Sequence, residues 1–179
     1  MKDNQENVIL VDKADNELGL MEKMQAHEQG VLHRAFSVFI FNSKGEMLLQ
    51  QRAFGKYHSP GLWTNTCCSH PRHGESNSDA ASRRLSEEMG MQCDIQELFH
   101  FIYKADVGQG LTEHELDHVF IGTSDMTPDI NPVEVADFRY VDMQTLRDDI
   151  VKKPGDYTVW FKIAFEEVDN YFKNKILKQ

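Results

Sequence analysis

Two cysteines, two histidines and a glutamate fall within TNTCCSHPRHGES, positions 64–76, in a chain that holds three cysteines in all. In an extended segment alternate side chains share a face, so Cys68 and His70 point one way and Cys67 the other. Adjacent cysteines are poorly placed to bridge one another, and Cys93 alone offers no disulfide framework, so the thiols read as reduced. A zinc knuckle needs paired spacing such as Cys-x-x-Cys, which CCSH does not supply. Cys68 is therefore open to a chemical role beside the ordinary fate of cysteine as a small buried side chain.

Glu113 and Glu115 form a second constellation. Two apart in a strand-like run, they present both carboxylates to one side while His114 and Leu116 turn away. Carboxylates so placed repel unless a cation lies between them, and plain surface exposure is the alternative. With His27, His33 and His70 available, a metal held by imidazole and carboxylate competes with that alternative. His58, His73, His100, His114 and His118 are read as packing or surface residues.

The elements that must position these groups read as mixed strands and helices. Strands are predicted at 8–11 (VILV) and 18–24 (LGLMEKM), and at 34–42 and 46–52, joined by a turn at Gly45. Further strands are predicted at 98–105, 115–122 and 138–141, with helices over 143–151 and 159–172. SNSD at 76–79 offers a capping box, after which Ala81, Leu85 and Met89 recur at helical spacing up to Gly90. At about 100° per residue Glu88 lies about 60° from the centre of that stripe, so it reaches a site at the core's edge, with Arg84 one turn before it. The order lacks βαβ regularity, which predicts an α+β fold.

The chain has 179 residues and 40% hydrophobic content, the size of one domain over 1–179, with residues 1–7 expected to be flexible. Its acidic, amide-rich start lacks the pattern of a secretory or transit peptide, which predicts a cytoplasmic protein. No apolar run approaches the roughly 20 residues that cross a bilayer. A net charge of −10 argues against nucleic acid as partner. A small anionic ligand would need locally placed Lys, Arg or a divalent cation. A monomer is compatible with the sequence.

The stretch SHPRHGESNSDAASRRLSEEMGM resembles the Nudix box, G-x5-E-x7-R-E-U-x-E-E-x-G-U, which binds diphosphate through divalent metal. Glu75, Arg83, Leu85, Glu87, Glu88, Gly90 and Met91 match it, while Ser69 stands in place of Gly and Arg84 in place of Glu. Together with LHRAFSVFIFN, LLQQR, TNTCCSHP, Glu113 and Glu115, the chain is similar from about residue 8 to 175 to the type 1 isopentenyl diphosphate isomerases, Nudix-fold enzymes of isoprenoid synthesis.

The resemblance implies mixed β-sheets flanked by helices in one compact domain. It implies a divalent metal, Mn, Mg or Zn, on His27, His33, His70, Glu113 and Glu115, with Cys68 and Glu115 as the acid–base pair. A second metal, Mg²⁺, is implied between Glu88 and the substrate diphosphate, with Lys23, Arg52, Lys56 and Arg84 around the phosphates and Tyr103 and Trp160 near the substrate. Glu115 beside a metal suits the acid role and Cys68 as thiolate the base, with the reverse assignment also open. Trp160 is equally readable as a core residue beside Phe161, Phe165 and Phe172. A Nudix hydrolase of a nucleoside diphosphate derivative and a non-enzymatic diphosphate-binding regulator are the rival readings.

Overall fold

The computed structural model describes residues 6–176. It contains nine strands and four α-helices in the order β1 (Asn7–Val11), β2 (Glu17–Glu22), α1 (Lys23–Gln29), β3 (His33–Phe41), β4 (Met47–Arg52), β5 (Trp63–Thr64), β6 (Cys67–Ser69), α2 (Asn77–Met89), β7 (Ile95–Gly108), β8 (Leu111–Thr123), β9 (Val135–Val141), α3 (Met143–Lys152) and α4 (Val159–Ile176). Of the stretch 1–7 expected to be flexible, residues 1–5 lie outside the described residues, whereas Asn7 opens β1 and the Glu6 carbonyl accepts from the Lys23 N–H at 2.8 Å.

Strand β3 organises the sheet. It pairs antiparallel with β6, Phe36 opposite Ser69 and Ser37 opposite Cys68, and parallel with β8 from His33 opposite Glu115 to Phe41 opposite Thr123. Its apolar residues alternate between two cores. Phe36, Val38 and Ile40 pack with Ala80, Ala81, Leu85 and Met89 of α2, and Phe39 packs with Trp160, Phe161 and Phe165 of α4. The mixed sheet therefore lies between α2 on one face and α4 on the other, an α+β arrangement as expected from the sequence.

The helix α2 begins where the capping box predicts. The Ser76 hydroxyl accepts from the Asp79 N–H at 3.1 Å, and the helix ends at Gly90, whose φ of 61° is left-handed. A side chain at Gly90 would collide with the Asp129 carbonyl, so glycine is required there twice over.

The segment 18–24 departs from the expectation of one strand. Strand β2 stops at Glu22, whose carboxylate caps α1 by accepting from the N–H groups of Met24 (3.0 Å) and Gln25 (2.9 Å). Lys23 therefore opens a helix that delivers His27 one turn later. Strand β7 also runs longer than predicted, from 95 to 108, interrupted by bulges between Glu97 and Phe99 and between Asp106 and Gly108. Among the described residues no helix is long and apolar enough to cross a membrane.

Candidate active site

Strand parity assembles the site. Cys68 lies opposite Ser37, on the face shared with His33, and Cys67 lies opposite Val38, on the α2 face. Glu113, Glu115 and Asp117 alternate onto the same face of β8 as His33 of β3, while Leu116 turns to an apolar cluster and His114 bonds the Gly30 carbonyl at 2.9 Å. Helix α1 brings His27 over this face, and the chain leaving β6 brings His70.

The result is a buried group of five residues, His27, His33, His70, Glu113 and Glu115, each offering one ligand atom within 4.8 Å of the others. The ring centroids of the three histidines are 5.0 to 5.7 Å apart. His27 Nδ1 donates to the Lys23 carbonyl at 2.6 Å and His33 Nδ1 to the Val31 carbonyl at 2.8 Å. Those bonds fix the tautomers and leave both Nε2 lone pairs turned inward. His27 Nε2 stands 3.0 Å from Glu113 Oε2, and His33 Nε2 stands 3.6 Å from Glu115 Oε1. Lone pairs thus face carboxylate oxygens, and His27 Nε2, His33 Nε2 and Glu113 Oε2 are buried without a hydrogen-bond partner. A divalent cation satisfies all of them at once, so the donor set fits a metal with mixed nitrogen and oxygen ligands.

The electrostatics agree. Burial, then the neighbouring Glu115 carboxylate, pushes Glu113 up to about 7. Burial pulls His70 down to about 4, against the pull of Glu115. Burial also acts to raise Glu115, but His33 and His70 outweigh it and hold this carboxyl well below the usual range. Tyr103, opposite Glu115 in the β7–β8 pairing, donates its hydroxyl to Glu115 Oε2 at 2.7 Å, a further bond to the ionised form.

Above this cluster opens one cavity. Cys68, His70, Glu113, Glu115 and Tyr103 line it on the sheet side, Lys23, Arg52, Lys56, Arg84 and Glu88 on the polar side, and Trp160 closes the α4 end. His27 and His33 lie beneath its floor, fully buried. Burial, then the Glu88 carboxylate, pushes the Cys68 thiol far above the ordinary thiol range, with Arg52 opposing, so the sulfur is protonated at neutral pH.

The cationic wall is held by carboxylates. Lys23 donates to Glu6 at 2.9 Å, Lys56 pairs with Glu134, and Arg84 pairs with Glu88 and, at 2.7 Å, with Glu87. Arg52 Nε, Arg84 Nε and Trp160 Nε1 are buried donors with no acceptor. Unmet donors on a cavity wall suit an anionic ligand. The Arg52 guanidinium lies 5.1 Å from the Trp160 ring centroid, so Trp160 belongs both to the core and to the wall.

Three residues of the site escaped the sequence reading. His58, which the sequence places among packing or surface residues, is buried 3.5 Å from Glu113 Oε1 and stands edge-on to Trp160 at 5.4 Å. Gln50 donates to Glu88 Oε2 at 2.9 Å, and Glu134 receives Lys56. Gln50 had a signal: it is a polar residue on the Leu48 side of a strand whose Leu48 faces the α2 core. His58 had none, because an irregular loop carries no periodicity.

The NUDIX domain family matches residues 31–161. The isopentenyl-diphosphate Delta-isomerase 2 of Aromatoleum aromaticum is 50% identical over 92% of this chain and 87% of its own length. The isopentenyl-diphosphate Delta-isomerase of Serratia proteamaculans is 52% identical over 91% of each chain. This chain belongs to the isopentenyl-diphosphate Delta-isomerase family of NUDIX domains. Two solved structures share the NUDIX fold at low identity. The DR0079 protein of Deinococcus radiodurans has a TM-score of 0.70 at 20% identity, covering 86% of this chain and 92% of its own, and the MutT protein of Methanosarcina mazei has 0.64 at 19%, covering 79% and 96%.

In this NUDIX domain the helix of the box is α2, and its Glu75–Arg83 pair is structural. Arg83 Nε donates to Glu75 Oε1 at 2.7 Å and Arg83 Nη2 to Glu75 Oε2 at 2.9 Å, tying the loop before the helix to its middle turn. Arg84, where the box has Glu, bonds Glu88 and approaches Glu134 at 3.7 Å, so a cation occupies a carboxylate position.

Proposed function

We propose that this protein interconverts isopentenyl diphosphate and dimethylallyl diphosphate, as the names of relatives about half identical to it suggest, in isoprenoid biosynthesis. The observation that carries the reading is that Cys68 and Glu115, delivered by different strands, open into one cavity with four cationic side chains on its wall. The diphosphate accounts for Lys23, Arg52, Lys56 and Arg84, and the five-carbon chain lies between sulfur and carboxylate.

The reaction adds a proton to the terminal alkene carbon, forms a tertiary cation and removes a proton from C2. It therefore needs one protonated and one ionised partner. The neutral Cys68 thiol and the Glu115 carboxylate supply that pair, so we assign Cys68 as donor and Glu115 as acceptor. The S–H proton goes to C4, the C2 proton goes to Glu115, and the thiolate left behind sits beside the cation. A unit negative charge at 4 Å contributes roughly 4 kcal/mol at an effective dielectric of 20, whereas an aromatic face contributes about 0.5 to 2 kcal/mol. The two anions therefore govern the cation, and Trp160 chiefly keeps water from capturing it.

His27, His33, His70, Glu113 and Glu115 would hold a divalent metal, Mn, Mg or Zn, that fixes the Glu115 carboxylate and offsets the charge of its neighbours. Glu88 would hold Mg²⁺ against the substrate diphosphate, with Arg84 beside it. A working thiol calls for a reducing compartment, which supports a cytoplasmic location. The test is NMR of isopentenyl diphosphate with the protein in D₂O and Mg²⁺. Deuterium in a methyl group of dimethylallyl diphosphate supports the reading, and release of phosphate without double-bond migration would replace it with the hydrolase.

A further inference from the structure

On the opposite face of the β7–β8 ribbon, away from Glu115, lies a second group of metal-ligating side chains, Glu97, His100 and His118, whose ligand atoms are also within 4.8 Å of one another. We propose that these three residues form a second transition-metal site, of the class that takes Zn²⁺ or Co²⁺. It is independent of the isomerase reading.

Three observations carry the proposal. First, the backbone is re-phased to make the group. Glu97 and His100 are an odd number of residues apart and would fall on opposite faces of a regular strand. The bulge that leaves Leu98 unpaired sets Glu97 opposite Phe120 and His100 opposite His118, and Phe120 and His118 share a face.

Second, His118 is prepared as a ligand. Its ring lies between two carboxylates, Nε2 3.0 Å from Asp15 Oδ2 and Nδ1 2.6 Å from Glu97 Oε1. A neutral imidazole donates from one nitrogen only, so one of these two carboxylate contacts is met by a second proton or by a metal ion. A carboxylate behind a histidine is the usual outer partner of a metal-bound imidazole.

Third, that outer carboxylate is itself held. Arg34 Nε donates to Asp15 Oδ1 at 2.7 Å and Arg34 Nη2 donates to the Asp15 carbonyl at 2.8 Å, fixing a residue whose φ of 64° is left-handed. His118 is buried, whereas Glu97 and His100 are exposed at the rim, which leaves a coordination position open to solvent.

The experiment is equilibrium dialysis of the full chain against micromolar Zn²⁺, followed by elemental analysis. Two ions are expected for the unaltered chain and one for Glu97→Gln or His100→Asn, with isomerisation unchanged in both. His70→Ala also holds one ion, but loses isomerisation, and with Co²⁺ it keeps visible absorption that His70→Ala/His100→Asn lacks. A single ion that Glu97→Gln and His100→Asn both retain, or a second ion that survives both substitutions, overturns the proposal and leaves an ion pair linking Asp15, His118 and Glu97. Because both rim residues are exposed, loss of fold does not confuse the comparison.

Discussion

His33 and Glu115 stand side by side across the parallel pairing of β3 and β8, with the imidazole Nε2 3.6 Å from the carboxylate Oε1. The contact sets an imidazole nitrogen against a carboxylate oxygen, a pair of donor atoms that suits a divalent cation.

Removing one ligand should therefore remove the ion. His70→Ala is expected to lower the metal affinity of this cluster and isomerisation together, each by at least about 100-fold, since even outer partners of metal ligands are worth 10- to 100-fold. A chelator should inactivate the unaltered chain and added divalent metal restore it. Protons compete with the metal at Glu113, which burial pushes up to about 7, so metal affinity should weaken as pH falls through that value. Elemental analysis showing unchanged metal in His70→Ala would refute the ligand set.

The assignment of donor and acceptor gives a second expectation. With Cys68 as donor, Glu115→Gln still protonates C4 but cannot take the C2 proton, so in D₂O it should place deuterium at C4 of isopentenyl diphosphate without isomerising it. Cys68→Ala should do neither. The opposite pattern, C4 exchange by Cys68→Ala alone, would exchange the two roles.

Tyr103 tests how much the acceptor owes to its hydrogen bonds. Tyr103→Phe removes a bond to a charged oxygen, worth roughly 1.5–3 kcal/mol, or about 10- to 160-fold in rate. We expect the loss in kcat with KM nearly unchanged, because the hydroxyl touches Glu115 and the diphosphate wall is untouched. A change confined to KM would move Tyr103 from the reacting carbons to the anchor.

The α2 face yields a stability prediction. Burial, then Glu88, pushes the Cys67 thiol well above its ordinary value. A group whose folded pKa is raised stabilises fully below its unfolded pKa, roughly 8.5 for a thiol, and that contribution declines as pH rises beyond it. The melting temperature should fall between about pH 8.5 and 10, and Cys67→Ala, though less stable throughout, should fall less steeply. Parallel curves would assign the alkaline loss to other groups, of which the Cys68 thiol is the first candidate.

Much of this site could be read from the chain because period-two alternation is a local property. Cys67 and Cys68 part company, and Glu113 and Glu115 keep company, wherever a strand passes through them. The capping box at Ser76 and the left-handed Gly90 marked α2 for the same reason. Helix α1 was hidden because it is a single short segment capped by Glu22, an unusual residue at that position, and it follows a strand without a break. His58, Gln50 and Glu134 gain their roles only when three separate segments converge on Arg84, Glu88 and Glu113. The bulge at Leu98, which turns Glu97 to the histidines' side, is set by pairing with β8 and leaves no mark in the order of residues.

The pairing of β3 with β8 joins strands that lie far apart in the chain, and four of the five proposed inner ligands sit on or directly beside it. A chain folded only locally holds no such pocket, so the free energy of taking up the proposed cation would be released only once these strands have paired. Thermal resistance then becomes a function of the free concentration of that ion, and a cell short of it would hold a less durable protein as well as an idle one.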